Sequence, residues 1–176
     1  FRLADSLPLD VLKRIFAEES KDFSRREKIE NFLDSGHGSC WLAQGELAGL
    51  VENALFHFDR ERYRLLAWCV MPNHVHALVE IFQGHSLGDI VHSWKSFTAK
   101  GINRVLRRSG LVWEADYFDR YVRDDLQLRA TIDYIENNPL KAGLVASKEG
   151  WPYSSAFKDA GGTPALPNRK RYTEAQ

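Results

Sequence analysis

The part of the chain that decides the fold is the stretch Cys69-Val70-Met71-Pro72-Asn73-His74-Val75-His76-Ala77-Leu78. Apolar runs lie on both sides of its Pro-Asn turn. They predict an antiparallel hairpin, with one strand over Tyr63 to Val70 and a second over His74 to Phe82, although Asn-His lacks the glycine usual in two-residue turns. Side chains two apart on a strand point to the same face, so His74 and His76 project together.

Two imidazoles on one face of a rigid strand form a natural half of a metal site. Such a site needs a further ligand from elsewhere in the fold and open positions for substrate. The plainer interpretation has one histidine facing solvent and the other hydrogen-bonded in the core. An H-x-H pair that follows a Pro-Asn turn inside an apolar run favours the metal site.

Length and composition are those of an ordinary globular protein. The 176 residues are 44% apolar and 27% charged, and we expect a single domain over residues 1–176. No apolar run approaches the roughly 20 residues of a membrane span, and no secretory leader is evident. Cys40 and Cys69 do not make a disulfide scaffold. These features favour a cytoplasmic protein without a membrane partner.

Apolar periodicity predicts helices on both sides of the hairpin. The predicted helices run from Leu9 to about Leu33 with a break near Ser20 to Ser24, from Glu46 to about Asp59, from Leu87 to about Arg108, and from Leu126 to about Asn137. In the third of these, Ile90, Trp94, Phe97 and Val105 are expected to be core. Ser86, followed by Asp89, is expected to cap that helix.

The ends of the remaining elements are predicted from local signals. Asp124 or Asp125 is expected to cap the last helix, and Pro139 is expected to end it at Asn138. The chain begins at Phe1 rather than at methionine, and we interpret Phe1-Arg2-Leu3 as the end of a truncated first strand. Residues 156–176 are expected to form an irregular tail, and the long segment before Gly45 carries no recognisable motif.

Positive charge is concentrated in one part of a chain whose formal net charge is zero. From Val91 to Arg123 there are seven Lys or Arg and three acidic residues. Lys100, Arg104 and Arg108 are spaced to share one helix face. The concentration suggests a ligand that carries phosphate, although a basic stripe is also the usual form of a solvated helix face.

Tyr134 and Asn138 lie one helical turn apart, away from the apolar face of the last helix. In such an arrangement the phenol of Tyr134 could serve as a nucleophile and the amide of Asn138 as a third metal ligand. On spacing alone the plainer interpretation is favoured, in which Tyr134 is half-buried and Asn138 stops the helix, because Asn-Pro is a common turn signal.

A series of segments, taken in order, resembles the single-tyrosine HUH transposases, and most closely their REP-associated tyrosine transposase branch. The segments are Trp68-Cys69-Val70-Met71-Pro72-Asn73-His74-Val75-His76, Trp94-Lys95-Ser96-Phe97-Thr98, Val112-Trp113-Glu114-Ala115-Asp116-Tyr117-Phe118-Asp119-Arg120-Tyr121, Asp133-Tyr134-Ile135-Glu136-Asn137-Asn138-Pro139-Leu140-Lys141-Ala142-Gly143-Leu144, and Trp151-Pro152-Tyr153-Ser154-Ser155. Together they extend over more than half of the chain.

The resemblance implies an α+β fold with a ferredoxin-like core. In such a core a central antiparallel sheet has helices packed on one face, and here a C-terminal helix would carry the tyrosine. The resemblance further implies that His74, His76 and Asn138 bind a divalent metal, Mg or Mn, and that Tyr134 is the nucleophile. The implied activity is that of a metal-dependent single-stranded DNA endonuclease and strand transferase. It would cleave hairpin-forming repeats through a 5′-phosphotyrosine without ATP.

The expected partner is single-stranded or hairpin DNA, bound by a monomer, with a dimer left open. Candidate contacts to the DNA backbone are the basic residues Lys95, Lys100, Arg104 and Arg120. Tyr117, Tyr121 and Tyr153 are rival phenols, of which the first two could instead contact DNA.

Two alternative functions remain open at this stage. One is a domesticated protein that binds hairpin DNA without turnover. The other is a hydrolase of small phosphoesters that would use the histidine pair, a metal-bound water and Glu80. The first alternative does not need all of His74, His76, Tyr134 and Asn138, and the second predicts activity that survives loss of Tyr134.

Overall fold

The computed structural model describes residues 1–18 and 21–158, so most of the expected tail lies outside the described residues. The elements are α1 (Leu9–Glu18), α2 (Asp22–Asp34), α3 (Gly45–His57), β1 (Tyr63–Val70), β2 (Val75–Ile81), α4 (Leu87–Val105) and α5 (Asp125–Lys141). Short 3-10 turns cover Trp41–Ala43 and Lys148–Gly150. The predicted hairpin and helices are therefore confirmed. No helix among the described residues is long and apolar enough to cross a membrane.

Short segments extend the β1–β2 hairpin into a wider antiparallel sheet. Arg2 pairs with His74 at the start of β2, and Leu3 pairs in turn with Trp113. On the other side Cys69 of β1 pairs with Ser154. The strand expected at Phe1–Leu3 is short but is bonded on both sides: the Leu3 N–H donates to the Asn73 carbonyl at 2.8 Å, and the Ala4 N–H to the Val112 carbonyl at 2.9 Å.

The order of these segments is that of a ferredoxin-like core. Across the sheet they run 112–114, 1–3, β2, β1, with antiparallel neighbours throughout. Along the chain, α3 precedes β1 and α4 follows β2, so each helix connects two strands that are not adjacent. The expected fold class, α+β with a central antiparallel sheet, is confirmed.

Helices cover both faces of the sheet. α3 and α4 pack on one face, through a cluster that includes Leu47, Val51, Leu55, Trp94 and Ile102. On the opposite face, Ala67 and Cys69 of β1 contact Ile135 of α5. Cys69 lies opposite His76 in the hairpin register, and directly opposed residues share a face. The two histidines therefore lie on the α5 side of the sheet.

The first two helices form a small apolar cluster of their own. It contains Leu7, Val11, Ile15, Ile29 and Leu33, and it is separate from the cluster around α3 and α4. The amide nitrogen of Asn73, in the turn of the β1–β2 hairpin, donates to the carbonyls of Leu33 and His37. This contact ties the C-terminal end of α2 to the strand that carries the histidines.

Two helix ends differ from the prediction. α5 continues through Pro139 to Lys141, so the expected end at Asn138 is wrong. Proline removes only its own N–H, and the Ala142 N–H still donates to the Asn138 carbonyl at 2.9 Å. α4 ends at Val105, because Arg107 adopts a left-handed φ of 51°.

These differences change the predicted basic stripe and the predicted core of α4. The guanidinium of Arg108 lies 4.3 Å from the centre of the Trp41 ring, so Arg108 does not continue the stripe of Lys100 and Arg104. Phe97 is 58% exposed rather than buried, because the buried face of α4 runs through Trp94, Thr98 and Ile102. Val105 is likewise exposed. The caps are as expected, with Ser86 accepting from the Asp89 N–H and Asp124 from the Gln127 N–H.

The loop after α2 contains two glycines with positive φ, Gly36 at 73° and Gly38 at 84°. A Cβ at Gly38 would lie 2.7 Å from the backbone oxygen of Asp5, whereas one at Gly36 would meet nothing within 4 Å. We expect Gly38→Ala to lower the free energy of unfolding by about 2–4 kcal/mol, and Gly36→Ala by about 1 kcal/mol. Urea denaturation followed by tryptophan fluorescence measures both. Equal losses would contradict the close approach of this loop to Asp5.

Candidate metal and tyrosine site

The ring nitrogens of His74 and His76 meet at one point beside the sheet. Their Nε2 atoms are 2.9 Å apart, and the two rings are edge to face at 85°. Two nitrogens that bind one ion at right angles, each about 2.1 Å from it, are about 3 Å apart. The pair therefore has the spacing of two ligands of a single ion.

Asn73 determines which nitrogen of His74 carries the proton. The Asn73 amide nitrogen donates to the carbonyls of Leu33 and His37 at 3.0 and 2.9 Å, so the amide oxygen is the atom that faces His74. That oxygen lies 2.7 Å from Nδ1 of His74 and can only accept a hydrogen bond. Nδ1 of His74 is the donor, and Nε2 keeps the lone pair that a metal ligand needs.

Burial keeps both imidazoles neutral. It lowers the pKa of His74 well below its usual value, and the neighbouring His76 lowers it further. Burial also lowers the pKa of His76, to about 3. The neutral imidazole is the form that binds metal ions.

α5 brings the phenol of Tyr134 and the amide of Asn138 to the same place. The ring of Tyr134 contacts that of His76, with centroids 5.7 Å apart and the planes at 88°. Asn138 lies one turn further along α5 and is 0% exposed. Both residues line one cavity, so the expected projection from the same side of the helix is confirmed.

Most of the buried side-chain nitrogen and oxygen atoms that lack a hydrogen-bond partner in residues 1–18 and 21–158 belong to this site. They are Oδ1 of Asp34 and both Oδ1 and Nδ2 of Asn138, while Oδ1 of Asn103 lies elsewhere. An unpaired buried polar atom costs about 1–3 kcal/mol, so it commonly marks a place where an ion or a water binds. The Asn138 oxygen is a hard ligand of the kind that Mg²⁺ and Mn²⁺ prefer.

A cavity of about 410 Å³ lies between α2 and α5, next to the tyrosine. Acidic residues of α2 form one side of it, and Tyr134, Asn138 and Lys141 of α5 form the other. Burial raises the pKa of Tyr134 above its usual value, and the carboxylates of Glu30 and Asp34 raise it further. The side chain of Asn138 lowers this pKa, but by less. The phenol is therefore held in its neutral form.

Among the tyrosines that the structure describes, Tyr134 is the one whose ring contacts His76. Tyr117 packs against the α3–α4 core near Lys95, and Tyr153 lies in the same core beside Gly45. Tyr121 is 85% exposed. The rival phenols thus lie away from the histidine pair.

The basic residues expected to contact DNA are spread over the molecule. The ammonium group of Lys95 donates to the carbonyls of Glu114, Ala115 and Asp116 at 2.9–3.3 Å, and so holds that loop in place. Lys100 and Arg104 are exposed on α4, which covers the face of the sheet opposite the histidines.

Arg120 differs from the others, because it lines a second cavity, of about 300 Å³. The other residues of this cavity include Arg26, Tyr121, Arg123 and Gln127. Gln127 precedes Tyr134 by seven positions on α5, which corresponds to about 10 Å along the helix axis. Of the predicted basic contacts, Arg120 is thus the one on the α2–α5 side.

We expect Asn73→Ala to lower the free energy of unfolding by about 2–4 kcal/mol. The Asn73 side chain is buried, and its loss leaves Nδ1 of His74 unpaired and removes the hydrogen bonds to the carbonyls of Leu33 and His37. The matched control is Asn137→Ala on the exposed side of α5, whose amide donates to the Asp133 carbonyl. For the control we expect a change within about 0.5 kcal/mol. Urea denaturation compares the two variants, and similar losses would contradict the role assigned to Asn73.

Comparison with models of protein families shows to which family the chain belongs. The model of the IS200-like transposases matches residues 50–138, a range that contains β1, β2, α4, Tyr134 and Asn138. The chain belongs to this family. α1, α2 and the loop that follows them lie outside the matched range.

Relatives of this IS200-like transposase chain bear out the resemblance. A REP-associated tyrosine transposase of Escherichia coli is 28% identical over 116 residues, which are 62% of this chain and 65% of that protein. A Haemophilus influenzae protein, whose name places it provisionally in the same group, is 29% identical over 107 residues. These residues are 55% of this chain and 61% of that protein. The chain thus spans less than two-thirds of the length of these relatives.

A solved structure shows the same fold. It is that of a REP-associated tyrosine transposase bound to a REP hairpin. The structural match covers 72% of this chain and 83% of the chain in that structure. The TM-score is 0.53 and the sequence identity 19%. This likeness supports the α+β architecture of the transposase chain.

Proposed function

We propose that the chain is a metal-dependent single-stranded DNA endonuclease and strand transferase of the REP-associated type. The observation that carries the proposal is a cavity lined by the Tyr134 phenol and an unpartnered buried amide, with a pair of neutral imidazoles against the Tyr134 ring. Membership of the IS200-like family supports it, as do the names of the relatives. The proposed substrate is DNA that contains hairpin-forming repeats.

The metal would be held by Nε2 of His74, Nε2 of His76 and Oδ1 of Asn138. The spacing of the nitrogens and the unpaired amide oxygen fit this assignment. A bound Mg²⁺ or Mn²⁺ would polarise the scissile phosphate. Asn73 supports the set by holding the proton of His74 on Nδ1, away from the ligand atom.

Tyr134 is the proposed nucleophile. Its phenolic oxygen forms a bond to phosphorus as the bond between phosphorus and the 3′-oxygen breaks, which leaves a 5′-phosphotyrosine and a free 3′-hydroxyl. The phenol loses its proton to water as it attacks, because its raised pKa keeps it neutral beforehand, and the 3′-oxygen takes up a proton as it leaves. One phosphoester replaces another, so the strand can be rejoined without ATP.

We propose that the DNA strand follows the α2–α5 side of the molecule. Arg120, together with Arg26 and Arg123, would contact phosphates there, and the exposed ring of Tyr121 could stack on a base. Lys100 and Arg104 stay predicted contacts for a more distant part of the DNA. Lys95 would act indirectly, through the loop that it holds.

The proposal is tested with labelled single-stranded hairpins taken from inverted repeats that flank the gene. The full chain is incubated with each hairpin and Mg²⁺ or Mn²⁺, and the products are separated on a denaturing gel. We expect a shorter DNA strand and a covalent protein–DNA band. Tight hairpin binding with neither product would contradict turnover and favour a protein that only binds DNA.

A further inference from the structure

The end of α2 reaches the histidine pair, although α2 lies outside the range matched by the family model. Asp34 is the last residue of α2, and its Oδ1 lies 3.6 Å from Nε2 of His74. We propose that Asp34 is a further protein ligand of the divalent cation, a carboxylate that completes the set of His74, His76 and Asn138. The inference rests on the metal centre of the proposed function.

The first argument is that Asp34 Oδ1 has no other partner. The atom is buried without a hydrogen bond, and its side chain is only 20% exposed. A distance of 3.6 Å is too long for a hydrogen bond from His74. The Asn138 amide, which lines the same cavity, is fully buried and also unpaired. Unpaired groups on two different helices thus face one cavity.

The second argument concerns the charges that converge there. Nε2 of His74 presents a lone pair, since its proton is on Nδ1, and it faces both Nε2 of His76 and Oδ1 of Asp34. Without an ion, Nε2 of His76 can satisfy Nε2 of His74 by donating a hydrogen bond at 2.9 Å, but the carboxylate oxygen Oδ1 of Asp34 still has no donor. A divalent cation would be attracted to that oxygen and to the lone pairs of both nitrogens.

The third argument is that the position of Asp34 is fixed by the residue that orients His74. The Asn73 amide nitrogen donates to the carbonyl of Leu33, the neighbour of Asp34, while the Asn73 oxygen accepts from Nδ1 of His74. A single side chain thereby sets the backbone of Asp34 and the ring of His74. Such shared support is common around metal ligands.

The carboxylate would supply what the other ligands lack. His74, His76 and Asn138 are neutral, and only one of them offers an oxygen, whereas Mg²⁺ and Mn²⁺ prefer charged oxygen ligands. As the described side chains stand, no three His, Cys, Asp or Glu residues are close enough together to hold an ion. Oδ1 of Asp34 lies 3.6 Å from Nε2 of His74, so a turn of the carboxylate would have to bring it about 0.6 Å closer, to the roughly 3 Å expected between two ligands of one ion.

The test is Mn²⁺ binding by isothermal titration calorimetry on the full chain without DNA. We expect Asp34→Asn to weaken binding by at least about tenfold. The same variant should keep or raise the melting temperature, because it removes a buried carboxylate oxygen without a partner. The matched control is Asp133→Asn, an identical change at an exposed position of α5, for which we expect a change of less than about twofold.

The outcomes separate this inference from the metal centre as a whole. If Asp34→Asn binds Mn²⁺ as tightly as the parent while His76→Ala loses it, the centre stands and Asp34 is not a ligand. If Asp133→Asn weakens binding as much as Asp34→Asn, the effect is one of general charge, and the inference is overturned. If His76→Ala keeps full Mn²⁺ affinity, the metal centre and the proposed function fall together.

Discussion

Replacement of Tyr134 by phenylalanine should abolish the covalent protein–DNA adduct, with a loss of more than about a thousandfold in its rate of formation. The change removes the one atom that forms the new bond to phosphorus. The aromatic ring that packs against His76 remains, so the fold and the binding of hairpin DNA should change little. Adduct is measured on denaturing protein gels with labelled DNA, and binding by gel shift under native conditions.

The control for this prediction is Tyr121→Phe, at an exposed tyrosine of the loop before α5. It should form the adduct at the rate of the parent within a fewfold, even if Tyr121 contributes to DNA binding. An adduct that disappears in Tyr121→Phe and persists in Tyr134→Phe would show that the nucleophile is assigned to the wrong residue.

Removal of the second histidine should be nearly as severe. His76→Ala deletes one of two nitrogens that are placed to bind the same ion, so we expect Mn²⁺ binding to be lost and cleavage to fall by at least about a hundredfold. Treatment of the parent chain with a chelator should produce the same loss, and added Mn²⁺ should restore activity to the parent but not to the variant. Isothermal titration calorimetry measures Mn²⁺ binding, and cleavage assays on hairpin DNA measure the other effects.

The matched control is His92→Ala, which removes an exposed imidazole from α4 on the other face of the sheet. This control should keep both Mn²⁺ binding and cleavage. Loss of cleavage in His76→Ala combined with full activity in the presence of chelator would contradict the metal centre. In that case the imidazole would act on a proton instead.

Local periodicity was enough to predict the parts of the site that lie on single elements. The two-residue repeat of a strand places His74 and His76 on one face, and the helical repeat places Tyr134 and Asn138 on one side of α5. Each prediction needs only the geometry of one element, and the structure agrees with both. The order of the core strands followed from the family resemblance and not from the periodicity.

Relations between elements could not be predicted in this way. Asp34 and Tyr134 are far apart in sequence, and they meet only because the α1–α2 pair packs beside α5. Nothing in the sequence around Asp34 distinguishes it from the other carboxylates of α2. The hydrogen bonds of Asn73 to Leu33 and His37 likewise depend on tertiary packing, although the position of Asn73 before the histidines was visible.

The error at Pro139 has a simple physical cause. A proline disfavours helical geometry at the preceding residue, which made Asn138 the expected end of the helix. Near a helix terminus the loss amounts to one backbone hydrogen bond, and the burial of Asn138 and Pro139 stabilises the continued turn. As a result, Asn138 lies within α5, where its side chain is directed by the helix.

The central claim is that Tyr134 becomes covalently joined to DNA, and peptide mapping of the adduct tests it most directly. Trypsin should release Tyr134 on the peptide Ala130–Lys141, which contains no other tyrosine. After nuclease trimming of the adduct, we expect this peptide to carry the added mass of a nucleotide 5′-phosphate. The same mass on the peptides that contain Tyr117 or Tyr121, or on no tyrosine peptide at all, would contradict the account.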